Sequence, residues 1–138
     1  MAALNKFQQF VENLCKGVHN FTSDATCSVT VALCAAANAP VAANAVLADL
    51  TQIAYTNLSS RIVTGITAEQ VAGVVSGTAN DLVLTAGGGS VAPFRYIVLY
   101  DDDPAGDPLI GWYDYGSDLT LQDGETLTID FTTLFTLQ

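Results

Sequence analysis

Leu4, Phe7, Phe10, Val11, Leu14 and Val18 recur at helical spacing near the start of the chain. Asn5, Gln8, Glu12 and Asn13 fall between them, and Gly17 is a stop signal. The pattern predicts an N-terminal helix within residues 1–18, with about four turns running to residue 16. Its single apolar stripe has to dock either on the domain core or on a neighbouring subunit. From residue 26 the period changes. In "TCSVTVALC" (26–34), Cys27, Val29, Val31 and Leu33 alternate with Ser28, Thr30 and Ala32, which predicts a strand.

The Ala/Asn-rich stretch that follows reads as loop over 35–43, with a short helical turn near 45–50. Residues 61–91 hold short β-branched runs broken by Gly and Asn. Val71–Val75 and Leu82–Thr85 are expected to pair across "SGTAND", and "GGGS" (87–90) to turn the chain. Phe94–Tyr100 carries apolar residues on both faces and reads as a central strand, with Leu109–Tyr115 as the next. Asp123-Gly124 is expected to close a tight hairpin between Leu119–Gln122 and Glu125–Phe131. The expected fold is mainly β: one domain over 1–138, an N-terminal α-helix followed by an antiparallel β-sandwich or barrel over 26–138.

Charge narrows the function. Only 13% of residues are charged, against roughly a quarter in ordinary globular proteins. A surface so short of charge suits a subunit that hides part of it against partners. Of the charges present, 14 are acidic and 4 basic, for a net charge of −10. Lys6, Lys16, Arg61 and Arg95 are too scattered to displace phosphate counterions, so neither nucleic acid nor an anionic membrane is an expected partner. No stretch is long and apolar enough to span a membrane, and polar residues interrupt any signal-peptide core near the start. Three cysteines fit a reducing compartment.

Each candidate for chemistry has a plainer reading. Asp101, Asp103 and Asp107 with Gly106 imitate a calcium loop, but position 5 is Ala105 and position 12 is Trp112. The segment reads instead as a charged hairpin tip. Its carboxylates would share one solvent environment, so nothing separates a general acid from a base. Cys15, His19, Cys27 and Cys34 lack the close spacing of a zinc knuckle. The thiols read as small buried hydrophobes, and His19 as an exposed or capping residue. Tyr96, Tyr100, Trp112, Tyr113 and Tyr115 are either a sugar-binding platform or an aromatic core. Arg95, a charge inside a central strand, needs a carboxylate, and Asp114 on the next strand is the expected structural partner. No catalytic, cofactor-binding or metal residue is assigned.

"KFQQFVENLCKGVHNF" (6–21), "NAPVAANAVLADLTQIAY" (38–55) and "PFRYIVLYDDDPAGDPLIGWYDYGSDLTLQDGETLTIDF" (93–131) resemble a group of small virion structural proteins of tailed bacteriophages. The resemblance spans most of the chain and is weakest at 58–85. It carries no catalytic motif. Within that group the size, acidity and β content resemble capsid decoration, or cement, proteins. The resemblance implies a non-enzymatic virion protein, assembled in the host cytoplasm, that binds the major capsid protein on the outer shell and stabilises the head. The alternative is a tail or head-fibre module that binds a host receptor or glycan. Decoration proteins often occupy three-fold positions, so a homo-oligomer, and a trimer first, is expected. The stripe of Leu4, Phe7, Phe10, Val11 and Leu14 is the expected interface, because a neighbour could cover it. With an incomplete acidic loop and mis-spaced thiols, chelator treatment is expected to leave the melting temperature unchanged in differential scanning calorimetry.

Overall fold

The structure is a computed structural model and describes residues 3–21 and 28–138. Its first element is not the helix. Asn5–Lys6 (β1) pairs antiparallel with Trp112 and Gly111, and the helix starts only after it, as α1, Gln8–Cys15. The expected span of 1–18 is therefore shortened at its front by strand pairing. The freed N–H groups find partners outside the helix: Phe7 N donates to Ile110 O at 3.2 Å and Gln8 N to Ala42 O at 2.9 Å. At the far end Gly17 takes φ 71°, and Val18 N donates to Asn13 O while Gly17 N donates to Leu14 O. This is a Schellman stop, which satisfies the last carbonyls and needs the left-handed conformation glycine tolerates.

The strands that follow are β2 (Val29–Cys34), β3 (Thr67–Val71), β4 (Val74–Thr78), β5 (Leu82–Thr85), β6 (Phe94–Asp101), β7 (Leu109–Leu119), β8 (Thr126–Ile129) and β9 (Phe135–Leu137). They form three antiparallel sheets, in the orders β1-β7-β6-β2, β3-β4-β9 and β5-β8. The fold is mainly β and sandwich-like, and the described sheets do not close into a barrel. Two short 3-10 turns, Ala36–Asn38 and Leu47–Asp49, interrupt the long connection after β2.

Within the four-stranded sheet, β2 and most of β6 are buried on both faces. The β2–β6 register puts Val29, Val31 and Leu33 beside Asp101, Leu99 and Ile97, and puts Thr30, Ala32 and Cys34 beside Tyr100, Val98 and Tyr96. All six β2 residues are buried. The outer edge of β2 is covered as well. Val31 N donates to Arg61 O and Val63 N to Val29 O, both at 2.9 Å, and Ile53 N donates to Leu33 O. Leu33 N donates to the Tyr55 hydroxyl at 3.0 Å, and the Arg61 guanidinium lies 3.7 Å over the Tyr55 ring while donating to Val31 O. An exposed apolar edge would invite foreign strands, and residues 53–63 occupy it.

Two expected hairpins are paired differently. Val71–Val75 does not pair with Leu82–Thr85. β3 and β4 turn directly through Ala72 and Gly73, at φ 52° and 84°, and register Val71 against Val74. Two successive positive φ values give the turn whose twist suits a two-residue hairpin. β5 is left to pair with β8, from Leu82 against Ile129 to Thr85 against Thr126. Asp123-Gly124 does turn the chain, with Gly124 at φ 85°, but its flanks go to different partners. β7, whose last residue is Leu119, lies on β6 and β8 lies on β5.

The stripe expected at an interface is largely used within the chain. Phe7 and Phe10 are fully buried in its own core, and Leu4 and Leu14 are partly buried against it. Only Val11, at 46% exposure, stands outside. The correction has a geometric cause: β1 docks the chain on β7, so Phe7 and Phe10 are carried onto the core and only Val11 of the stripe is left on the outer face. Phe10 packs against Phe135 with ring centroids 5.6 Å apart. Phe10→Ala is expected to destabilise the monomer by about 3–5 kcal/mol. Urea unfolding followed by circular dichroism measures this, and an unchanged midpoint with a weakened oligomer would contradict the packing.

Candidate functional site

The acidic segment 101–107 is where sequence and structure differ most. Its first member is not at a tip. Asp101 is the last residue of β6, on the same sheet face as Val29, Leu99 and Ile97, and is 1% exposed. There it meets His19, whose Nδ1 lies 2.9 Å from Asp101 Oδ2. His19 was expected to be exposed or capping, yet its side chain is fully buried. The Schellman stop directs the chain after α1 back under the sheet, and His19 arrives between Phe10 and Phe21. The ring centroids lie 5.3 and 5.7 Å away, with Phe21 stacked almost parallel at 13°. Nδ1–H donates to the carboxylate, and Asp101 Oδ1 also accepts from Asp103 N at 3.3 Å. Among the described residues His19 Nε2 has no partner.

This pair holds position and does not have the form of an acid–base site. Both side chains are closed off from solvent, and the imidazole ring packs against Phe10 and Phe21. Asp102 and Asp103 are exposed, while Asp107, at φ 51°, turns the chain into β7. Three carboxylates expected side by side thus point to different surroundings. Among the described residues no three His, Cys, Asp or Glu side chains come together. Cys27 lies outside the described residues. Cys34 is buried and its thiol is pushed up to about 11 by burial, whereas Cys15 is exposed on α1, contrary to its expected burial.

Arg95 and Asp114 meet across β6 and β7. Arg95 Nε donates to Asp114 Oδ1 at 2.8 Å and the terminal Nη2 to Oδ2 at 3.0 Å. The register shifts between Phe94 and Tyr96, so Arg95 stands in an irregularity of the strand. The pair is half-buried, and the guanidinium first, then the Gly116 N–H, holds the Asp114 carboxyl below its ordinary range. It ties β6 to β7 at the register shift.

The aromatic cluster does not form a platform. Tyr100 and Tyr113 are buried, Tyr96 and Trp112 pack partly against the core, and Tyr115 alone is exposed. Trp112 is held by Phe7, with centroids 4.6 Å apart. A flat sugar-stacking face needs neighbouring exposed rings.

A feature unseen in the sequence lies on the other side of β7. A cavity of about 410 Å³ opens between the segment entering β1, Tyr113 of β7 and the turn 130–136. Lys6 spans its rim, with Nζ donating to Thr136 O at 3.1 Å. Asp130 Oδ1 accepts from Thr132 N at 2.8 Å and Thr132 Oγ1 at 2.7 Å, and these bonds hold its carboxyl below the usual range. Tyr113 is 2% exposed, and its hydroxyl has no hydrogen-bond partner among the described residues. Burial, with the Asp130 charge adding to it, pushes that hydroxyl up to about 12. The three polar groups come from positions 6, 113 and 130, so no local motif could announce the site.

Neither a family model, nor a curated protein, nor a solved structure matches the chain.

The His19–Asp101 pair should dominate stability here. His19→Phe leaves a buried carboxylate without its main partner and is expected to destabilise by about 3 kcal/mol or more. Asp101→Leu in the same background removes the orphaned charge and should recover part of that loss. A double-mutant cycle by urea denaturation measures the coupling, and strictly additive effects would show that the two side chains do not act together.

Proposed function

We propose that this chain is a non-enzymatic virion structural protein that attaches to the outer surface of a capsid and stabilises the head. The observation that carries the reading is the β3–β4 hairpin. Ala68 to Gly73 are all exposed, Val71 is 75% exposed, and β3 is the free edge of its sheet. Between residues 62 and 80 the only charge is Glu69. A projecting strand edge with an apolar tip and almost no charge suits attachment by strand addition and local burial on a neighbour. The phage-like segments at 6–21, 38–55 and 93–131 and the low overall charge support the same reading.

The mechanism is interfacial. Each copy contributes a modest contact, and the capsid lattice repeats it, so attachment adds up through multivalency. The major capsid protein is the proposed partner. The proposed assembly is a trimer, which rests on the resemblance alone now that Phe7 and Phe10 are accounted for within the chain. A fibre module binding a receptor or glycan is the second reading. The aromatic cluster gives it no platform, and its support comes from the cavity beside Tyr113.

Val71→Asp tests the attachment reading without touching the core. A substitution at so exposed a site should move folding stability by no more than about 0.5 kcal/mol. If Val71 is buried on the shell, its loss removes about 1.5 kcal/mol per contact, roughly a tenfold drop in affinity for single copies. Electron microscopy of particles reads the occupancy. Density for the chain missing from the head surface of wild-type particles would refute the proposal.

A further inference from the structure

The cavity beside Tyr113 has the composition of a small-ligand site. Its volume of about 410 Å³ falls in the range of roughly 300–1,000 Å³ typical of such sites. Its walls carry one carboxylate, Asp130, and one ammonium, Lys6, next to the apolar Leu4 and Phe135. These two side chains carry opposite charges, so neither sign of ligand charge is favoured by both. What it offers is hydrogen-bonding capacity. Both hydrogen bonds to Asp130 end on Oδ1, leaving Oδ2 open among the described residues. The Tyr113 hydroxyl is buried, has no partner among the described residues and is influenced by the Asp130 charge.

A buried hydroxyl without a partner is a costly arrangement that a bound group can relieve. A carboxylate oxygen can only accept, whereas a phenol can both donate and accept. A ligand hydroxyl has the chemistry to serve either group, donating to Asp130 Oδ2 or accepting from the Tyr113 O–H. An ammonium ligand could donate to Asp130 and to the Tyr113 oxygen, but it would leave the Tyr113 proton without an acceptor and would face the like charge of Lys6. A carboxylate ligand could accept from Tyr113 and Lys6 but would face Asp130. A neutral polyhydroxylated ring meets both groups and lays its C–H face on Leu4 and Phe135.

We propose that the cavity between β1, β7 and the 130–136 turn is a carbohydrate subsite, taking a neutral pyranose unit through Tyr113 Oη and Asp130 Oδ2. It is not the stacking platform that the Tyr/Trp cluster suggested, because recognition here runs through one buried hydroxyl. The inference stands apart from capsid attachment. A protein blind to sugars leaves the attachment reading intact, and particles lacking the protein on their heads leave the subsite intact.

The test uses the full chain with methyl glucoside, methyl galactoside and N-acetylglucosamine, each titrated to millimolar concentration. Saturation-transfer difference NMR detects binding, and calorimetry or shift titration gives the dissociation constant. At least one sugar should bind saturably. Tyr113→Phe removes only the hydroxyl, so it should weaken binding about tenfold, the loss of one hydrogen bond. Because that hydroxyl has no partner among the described residues, the variant's melting temperature should stay level or rise. Asp130→Asn keeps Oδ1 for Thr132 and replaces the open acceptor with a donor, so it should weaken binding similarly. Tyr115→Phe, outside the cavity, should bind as the wild type does. The proposal is overturned if none of the three sugars saturates, if methylammonium or acetate binds in their place, or if binding ignores both cavity variants. It is equally overturned if Tyr113→Phe melts several degrees lower, since the hydroxyl would then already have a partner.

Discussion

Burial of β2 and β6 on both faces is the constraint that organises the molecule. A sheet with one wet side can turn its polar residues outward. Here Val29, Val31 and Leu33 occupy one face and Thr30, Ala32 and Cys34 the other, and all are buried. A polar group entering this sheet is therefore costly unless it finds an internal partner, and Thr30 Oγ1 and Tyr113 Oη have none among the described residues. Asp101 finds His19. The backbone edge of β2 finds residues 53–63, with Tyr55 and Arg61 completing the cover. The long connection between β2 and β3 is thus structural through much of its length, although it contains little regular secondary structure.

The same constraint separates the parts legible in the sequence from the parts that were not. Phe94–Tyr100 announced itself by composition, because a doubly buried strand must be apolar on both sides, and Leu109–Tyr115 was legible over the more buried half of β7, which runs on to Leu119 through exposed residues. Arg95 was legible for the same reason: a charge in such a strand implied a neighbouring carboxylate, and Asp114 was one strand away. Pairings between distant segments left no such mark. Leu82–Thr85 could pair with β4 or with β8 on local chemistry alone, and the Ala72-Gly73 turn, which the Ala made inconspicuous, gives β4 to β3 and leaves β5 to β8. His19 and Asp101 are 82 residues apart. Nothing near either residue distinguishes a buried histidine from an exposed one.

The helix illustrates how a correct periodicity can still mislead. Leu4, Phe7, Phe10 and Leu14 do form an apolar series, but Leu4 precedes a two-residue strand and only Phe10 and Leu14 lie within α1. Period reveals which residues are buried together. It does not reveal whether the covering surface belongs to the same chain. That decision was made by β1, whose two backbone pairs with β7 fix where the helix begins. The close contact of Gly77 with the Phe135 ring is a parallel case, since a Cβ there would lie 2.5 Å from the ring edge. The glycine looked like a strand breaker and is a seat for an aromatic side chain.

The attachment of the N-terminal segment has a consequence for how the chain matures. Its partners are among the most distant in sequence: Asn5 reaches Trp112 across 107 residues, and Lys6 reaches Thr136 across 130. On a ribosome that segment emerges long before the strands it rests on. Phe7 and Phe10 must wait in water, or on a chaperone, until β6, β7 and β9 have been made. Loop closure over such spans is slow because its entropy is spent before any contact repays it. Docking of the N-terminal segment is therefore a late event in biogenesis, and the interval before it is when the nascent chain is most exposed to capture by other chains.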